Sequence, residues 1–87
     1  MSWFVYMIEA SDGSLYTGIT TDVTRRFAEH RDGKLGARYF NGRQPKKVVY
    51  VEPAEDRSMA SKREAAIKQL GRQQKLALIS EGSKDGC

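Results

Sequence analysis

Five side chains in this 87-residue sequence are of types that move protons, bind anions or hold a cation: Tyr6, Tyr16, Arg26, His30 and Glu64. The tyrosines sit in neighbouring apolar runs, Arg26 and His30 stand four residues apart, and Glu64 is the sole acid between Lys62 and Lys75. Taken singly, each has a bland reading. Paired tyrosines in a hairpin are more often core or interface residues, and a lone histidine near a helix end is more often structural. Glu64 and Lys68, at i and i+4, make an ordinary helix-surface ion pair. Other catalytic classes fare poorly: there is no P-loop, no Cys or Ser nucleophile with a convincing His partner, and no carboxylate cluster for two-metal chemistry.

The elements that would position these residues follow from pattern. Trp3 to Ala10 is a bulky, strand-like run, and Ser14 to Thr20 forms a second across Ser11-Asp12-Gly13. That spacing predicts a three-residue hairpin loop with Gly13 in the left-handed position. Closing it with Ala10 opposite Ser14 sets Tyr16 opposite Ile8 and Tyr6 opposite Gly18. Both tyrosines then project from one face, with Gly18 leaving room beside the Tyr6 ring. Thr21 or Asp22 caps a helix to about Arg31, with Val23, Phe27 and Ala28 on its buried stripe and Arg26 and His30 stacked on one side. Lys47 to Glu52 reads as a third strand stopped by Pro53. Asp56 caps a second helix whose apolar stripe is Met59, Ala66, Ile67 and Leu70, with Glu64 on its flank. After Gly71, Arg72 to Ile79 reads as a short helix with Leu76 and Ile79 facing in. The sum is one α+β domain over residues 1–80, with a polar, flexible tail over 81–87. Its small three-stranded antiparallel sheet is flanked by helices in the order ββαβα plus a short C-terminal helix.

The charge is uneven. The chain carries 15 Lys and Arg against 11 Asp and Glu, a formal net charge of +4, which favours an anionic partner. Arg25, Arg31, Lys34, Arg38, Arg43 and Lys46 crowd the first helix and the glycine-bearing loop after it, where Tyr39 and Phe40 offer rings. A solvated basic face is the bland reading. Flexible backbone, cations and aromatics together are the ingredients of a phosphate-tracking surface with stacking platforms. The single cysteine, Cys87, allows no disulfide within the chain. No apolar stretch approaches membrane-spanning length, and no leader-like segment opens the sequence. The expectation is a cytoplasmic protein with no membrane association.

In combination these residues resemble the GIY-YIG nuclease superfamily, and in particular its small stand-alone bacterial members. Phe4-Val5-Tyr6 keeps the tyrosine of the first motif, and Tyr16-Thr17-Gly18 keeps the tyrosine and glycine of the second. Arg26-Phe27-Ala28-Glu29-His30 is similar to the family's Arg-x-x-x-His helix. The helix around Arg63-Glu64-Ala65-Ala66-Ile67-Lys68 is similar to the one bearing its single essential glutamate. Many members also carry an asparagine after that glutamate; here Asn41 is the only one, and it precedes it. The resemblance covers roughly residues 3–79.

It implies a metal-dependent endonuclease acting on nucleic acid, DNA favoured over RNA, with a protein partner able to supply specificity. Glu64 would hold one Mg²⁺ or Mn²⁺ ion, which suits a hard cation content with few protein ligands. Arg26 would clamp a phosphate oxygen. Tyr6 would take a proton from the attacking water, helped by nearby positive charge or by His30, since an ordinary tyrosine is a poor base. Tyr16 would position water or phosphate. The alternative is a nucleic-acid-binding or interaction module that keeps the fold with little intrinsic catalysis.

Overall fold

The computed structural model describes residues 2–32, 40 and 43–83. Six elements follow in order: β1 (Trp3–Ala10), β2 (Leu15–Thr20), α1 (Val23–Asp32), β3 (Pro45–Ala54), α2 (Arg57–Lys68) and α3 (Arg72–Ser83). They build the expected α+β domain, in the order ββαβαα.

The sheet is antiparallel with strand order β2-β1-β3, so β1 is central. Helices cover both its faces, which explains why Val5, Tyr6, Met7 and Ile8 are all buried instead of alternating with exposed residues. Val5 and Met7 join Ala60 and Ile67 of α2 in one core, with Leu78 and Ile79 of α3 packed against it. Tyr6, Ile8 and Ala10 face the other way, where Val23 and Phe27 of α1 pack on them.

The hairpin closes as its loop dictates. Ala10 N–H donates to Ser14 O at 2.9 Å, Gly13 N–H donates to Ala10 O at 2.9 Å, and Gly13 has φ +84°. Ile8 therefore pairs with Tyr16 and Tyr6 with Gly18. Asp22 accepts from Arg25 N–H at the start of α1, and Asp56 accepts from Met59 N–H at the start of α2.

Three boundaries or faces differ from expectation. β3 runs from Pro45 through Pro53 to Ala54. It is an edge strand, one side of whose backbone has no ladder bond for a proline to lose. On α2 the buried residues are Ala60 and Ile67, while Met59 is 51% exposed and Ala66 is exposed. The helix is rotated by about one residue from the expected stripe. Arg63 fixes that rotation by gripping Glu52 of β3, its Nε lying 3.1 and 2.9 Å from the two carboxylate oxygens. Small Ala60 then lies against the sheet where bulky Met59 was expected. α3 continues to Ser83 and turns Leu78 and Ile79 inward, leaving Leu76 exposed. Residues 75, 78 and 79, rather than 76 and 79, form its sheet-facing line.

Candidate active site

The side chains on the α1 face of the sheet converge beneath the first helix. Tyr6 and Tyr16 share that face as the register requires, their ring centroids 6.2 Å apart. Gly18 makes this possible: a Cβ built there would lie 2.6 Å from Tyr6 Oη and 3.0 Å from a Tyr16 ring carbon. α1 begins almost as soon as β2 ends and lays itself back over the sheet, Val23 and Phe27 inward. His30 continues that line one turn further and is fully buried. Its ring centroid lies 6.1 Å from that of Tyr6 and 5.3 Å from that of Tyr16, and its Nε2 is 2.9 Å from Tyr6 Oη. Arg26, on the same helix, sets its guanidinium beside Tyr6 and is held by Glu29, its Nη1 2.9 Å from the carboxylate.

Phe40 completes the cluster, packed 4.8 Å from His30 and 5.2 Å from Tyr16, centroid to centroid. Buried there, it is not an open stacking platform, which corrects the expectation for Phe40. Sequence reading missed its place in the site. The available signal was a large apolar ring in a basic, glycine-bearing segment, ten residues after a histidine that needs cover.

This environment sets the proton chemistry. Burial, then the neighbouring Tyr16, pushes the Tyr6 phenol well above its ordinary range, against the pull of the Arg26 guanidinium. Burial, then the charge on Arg26, lowers His30 to about 4, against the opposing influence of Glu29. At neutral pH both groups are uncharged. With the His30 proton on Nδ1, the Tyr6 hydroxyl donates to Nε2.

Glu64 stands on a different layer, since α2 packs on the Val5 and Met7 side of the sheet. It is half-buried, and its polar contact among the described residues is Lys68 Nζ at 3.3 Å. The structure thus brings four of the five candidates together, with Glu64 carried separately by α2. No group of three or more His, Cys, Asp or Glu able to hold a metal occurs among the described residues. A lone carboxylate is nonetheless a fitting donor for Mg²⁺ or Mn²⁺, which keep several waters and share phosphate oxygens.

The basic candidates are dispersed around this centre. Arg25 is exposed and reaches Glu29 at 3.7 Å, and Arg31 pairs with Asp32 at 3.4 Å. Arg43 reaches back to the hairpin loop, 3.5 Å from Asp12 and 3.4 Å from Ser14 Oγ. Lys46 is exposed at the start of β3. Lys34, Arg38 and Tyr39 lie outside the described residues. On the opposite side of β2, Thr17 Oγ1 is buried without a hydrogen-bond partner among the described residues.

Comparison with known proteins agrees with this arrangement. The sequence model of the GIY-YIG catalytic domain matches residues 2–77. A UPF0213 protein of Desulfotalea psychrophila is 51% identical over 83 residues, covering 95% of this chain and 76% of its own. The UPF0213 protein YhbQ of Escherichia coli is 46% identical over 81 residues, covering 93% and 80%. The solution NMR structure of the UPF0213 protein BH0048 of Bacillus halodurans superposes with a TM-score of 0.58 at 42% identity, covering 92% of this chain and 84% of that one.

Proposed function

The chain belongs to the GIY-YIG catalytic-domain family, and from that premise we propose that it hydrolyses phosphodiester bonds in nucleic acid, DNA before RNA, with one Mg²⁺ or Mn²⁺ ion. The observation that carries this reading is the buried hydrogen bond between Tyr6 and neutral His30. A tyrosine alone is a poor base near neutral pH. Here the Tyr6 oxygen can take a proton from water while its own proton passes to His30 Nε2, so that no free phenolate forms. Arg26 binds the phosphate through its planar guanidinium. The bound anion offsets the positive charge that helps depress His30, which moves the imidazole back toward its ordinary pKa and makes it a better proton acceptor. Tyr16, less buried than Tyr6, orients water or phosphate by its hydroxyl.

Glu64 is the residue that would hold the ion, whose chemistry is to stabilise charge on the phosphate and the departing oxygen. Support for Glu64 facing the centre comes from helix geometry. Arg57, seven residues earlier, lines a cleft together with Arg26 of α1. Seven residues is close to two turns, so Glu64 lies on the same side of α2 about 10 Å further along. The unit responsible is the domain taken as residues 1–80, acting in the cytoplasm, with a protein partner free to supply specificity.

One observation favours a second reading. Glu64 pairs with Lys68 and with none of the other four candidates among the described residues, as in a nucleic-acid-binding or interaction module without turnover. A labelled panel of branched, nicked, duplex and single-stranded substrates, incubated with Mg²⁺ or Mn²⁺, separates the two. The nuclease reading requires metal-dependent cleavage by the wild type and none by Glu64→Gln, with folding and binding retained. Equal rates in both proteins would overturn the role of Glu64. Binding without cleavage of any substrate would establish the second reading.

A further inference from the structure

A cleft of about 270 Å³ opens where the end of β2, the middle of α1 and the start of α2 meet. Its walls include Trp3, Thr20, Arg25, Arg26, Glu29 and Arg57. Three guanidiniums thus face one small space with a single carboxylate among them. Glu29 is committed to Arg25 and Arg26, at 3.7 and 2.9 Å. Arg57 has no acidic partner among the described residues; its guanidinium lies over the Trp3 ring, 5.8 Å from the centroid. The indole steadies that cation without neutralising it. The Thr20 hydroxyl is already bonded to the Asp22 backbone, which leaves the arginines and the Thr21 hydroxyl to bind a ligand.

We infer that this cleft is a second phosphate subsite, which grips a backbone phosphate of the strand being cut. The walls carry a net positive charge with planar donors suited to a phosphodiester. The volume falls just below that of pockets enclosing drug-sized ligands and admits one nucleotide's phosphate and sugar, not a duplex. Arg26 is shared between this cleft and the Tyr6 hydroxyl, so a strand bound at the tyrosines has its neighbouring phosphate directed here. Neither Trp3 nor Arg57 belongs to the Tyr6–His30 cluster, so the cleft extends the substrate path beyond it. The inference rests on the nuclease reading only in taking the ligand to be nucleic acid.

Trp3 is the only tryptophan in the chain, so tryptophan emission, excited clear of the tyrosines, reports on the end of the sheet that walls this cleft. The test titrates the protein, without metal, with a short oligodeoxythymidylate and separately with inorganic phosphate. A saturable change in Trp3 emission with the oligonucleotide is expected. Arg57→Gln should weaken binding about tenfold, the scale of removing one charge-assisted hydrogen bond. It should also flatten the slope of log affinity against log salt by about 0.7, one phosphate contact on a single strand. Arg57→Lys should restore the slope, which separates charge from disturbance of the indole. Glu64→Gln should respond as the wild type does, so loss of cleavage and loss of this subsite are read independently. Oligonucleotide binding that leaves Trp3 silent, or an unchanged salt slope in Arg57→Gln, would overturn the inference. A Trp3 response to inorganic phosphate with none to the oligonucleotide would overturn the assignment to a strand.

Discussion

The Tyr6 hydroxyl stands 2.9 Å from His30 Nε2, joining the central strand to the last turn of α1 across 24 residues of chain. Because the bond is buried, it couples folding and chemistry to the protonation of one imidazole. His30 sits at about 4 in the folded protein and at its ordinary 6.5 when unfolded. Between those values the unfolded chain binds the extra proton, so stability falls as pH drops from 6.5 toward 4 and is unaffected by this group above 6.5. At about 1.4 kcal/mol per pH unit the loss is of order 3 kcal/mol. Urea unfolding at pH 7 and pH 4.5 should show a larger fall for the wild type than for His30→Gln, in which carboxylate titration alone remains. Equal falls would place His30 in a solvated environment. Cleavage at limiting substrate, which reports the free enzyme, should by the same reasoning have its acid limb well below 6.5.

Gly18 is the residue that lets the two tyrosine rings meet. A methyl group there would come within 2.6 Å of Tyr6 Oη and 2.8 Å of the carbon that bears it. Tyr6 is 1% exposed and closed in by His30 and α1, so it has nowhere to retreat without disturbing its hydrogen bond. Gly18→Ala should cost about 1–3 kcal/mol and reduce cleavage more than nucleic-acid binding. Thermal melting and the substrate panel test both halves. A variant with wild-type stability and rate would mean that the ring tip is free to move.

The hairpin and its consequence were legible because loop length alone fixes register, and register fixes which side chains share a face. That argument needs no knowledge of the rest of the fold. Pairing Arg26 with His30 was equally local, a matter of helical spacing. What the sequence did not expose was rotation and cover. The α2 stripe kept Ile67 but buried Ala60 in place of Met59 and Ala66, with Arg63 anchoring that helix to Glu52 eleven residues away, a contact no periodicity reveals. Phe40 packs on His30, ten residues away in sequence, a contact that no local pattern reveals. The extension of β3 through Pro53 likewise required knowing that β3 lies at an edge.

Thr17 presents the opposite kind of test. Its hydroxyl oxygen is buried on the α2 side of β2 with no hydrogen-bond partner among the described residues. A hydroxyl in that position carries a desolvation cost of roughly 1–3 kcal/mol. Valine has the same shape without the hydroxyl, so Thr17→Val should stabilise the protein by about 1 kcal/mol and raise the melting temperature by about 4–8 °C. A lower melting temperature would show that the hydroxyl has a bonding partner in solution. Stabilisation accompanied by lost cleavage would assign that hydroxyl to the bound substrate.

Glu29 restrains two arginines at once, with Arg26 Nη1 at 2.9 Å and Arg25 Nε at 3.7 Å. A phosphate binding Arg26 must therefore displace, or share space with, a carboxylate already seated on the same guanidinium. The pair is only partly shielded, with 28% of the Arg26 side chain and 23% of that of Glu29 exposed, so its own contribution to stability is small. Its effect on an incoming anion is larger, since neutralising the acid removes both the competition and a repelling charge. Glu29→Gln should bind nucleic acid roughly threefold to tenfold more tightly, with a steeper salt dependence and little change in melting temperature. Glu29 also raises the His30 pKa against the pull of Arg26, so the pH at which the histidine charges should fall further in the variant. Affinity measured by fluorescence anisotropy over a range of salt concentrations decides the first point. An unchanged or weaker affinity would show that Glu29 aims Arg26 at the phosphate rather than withholding it.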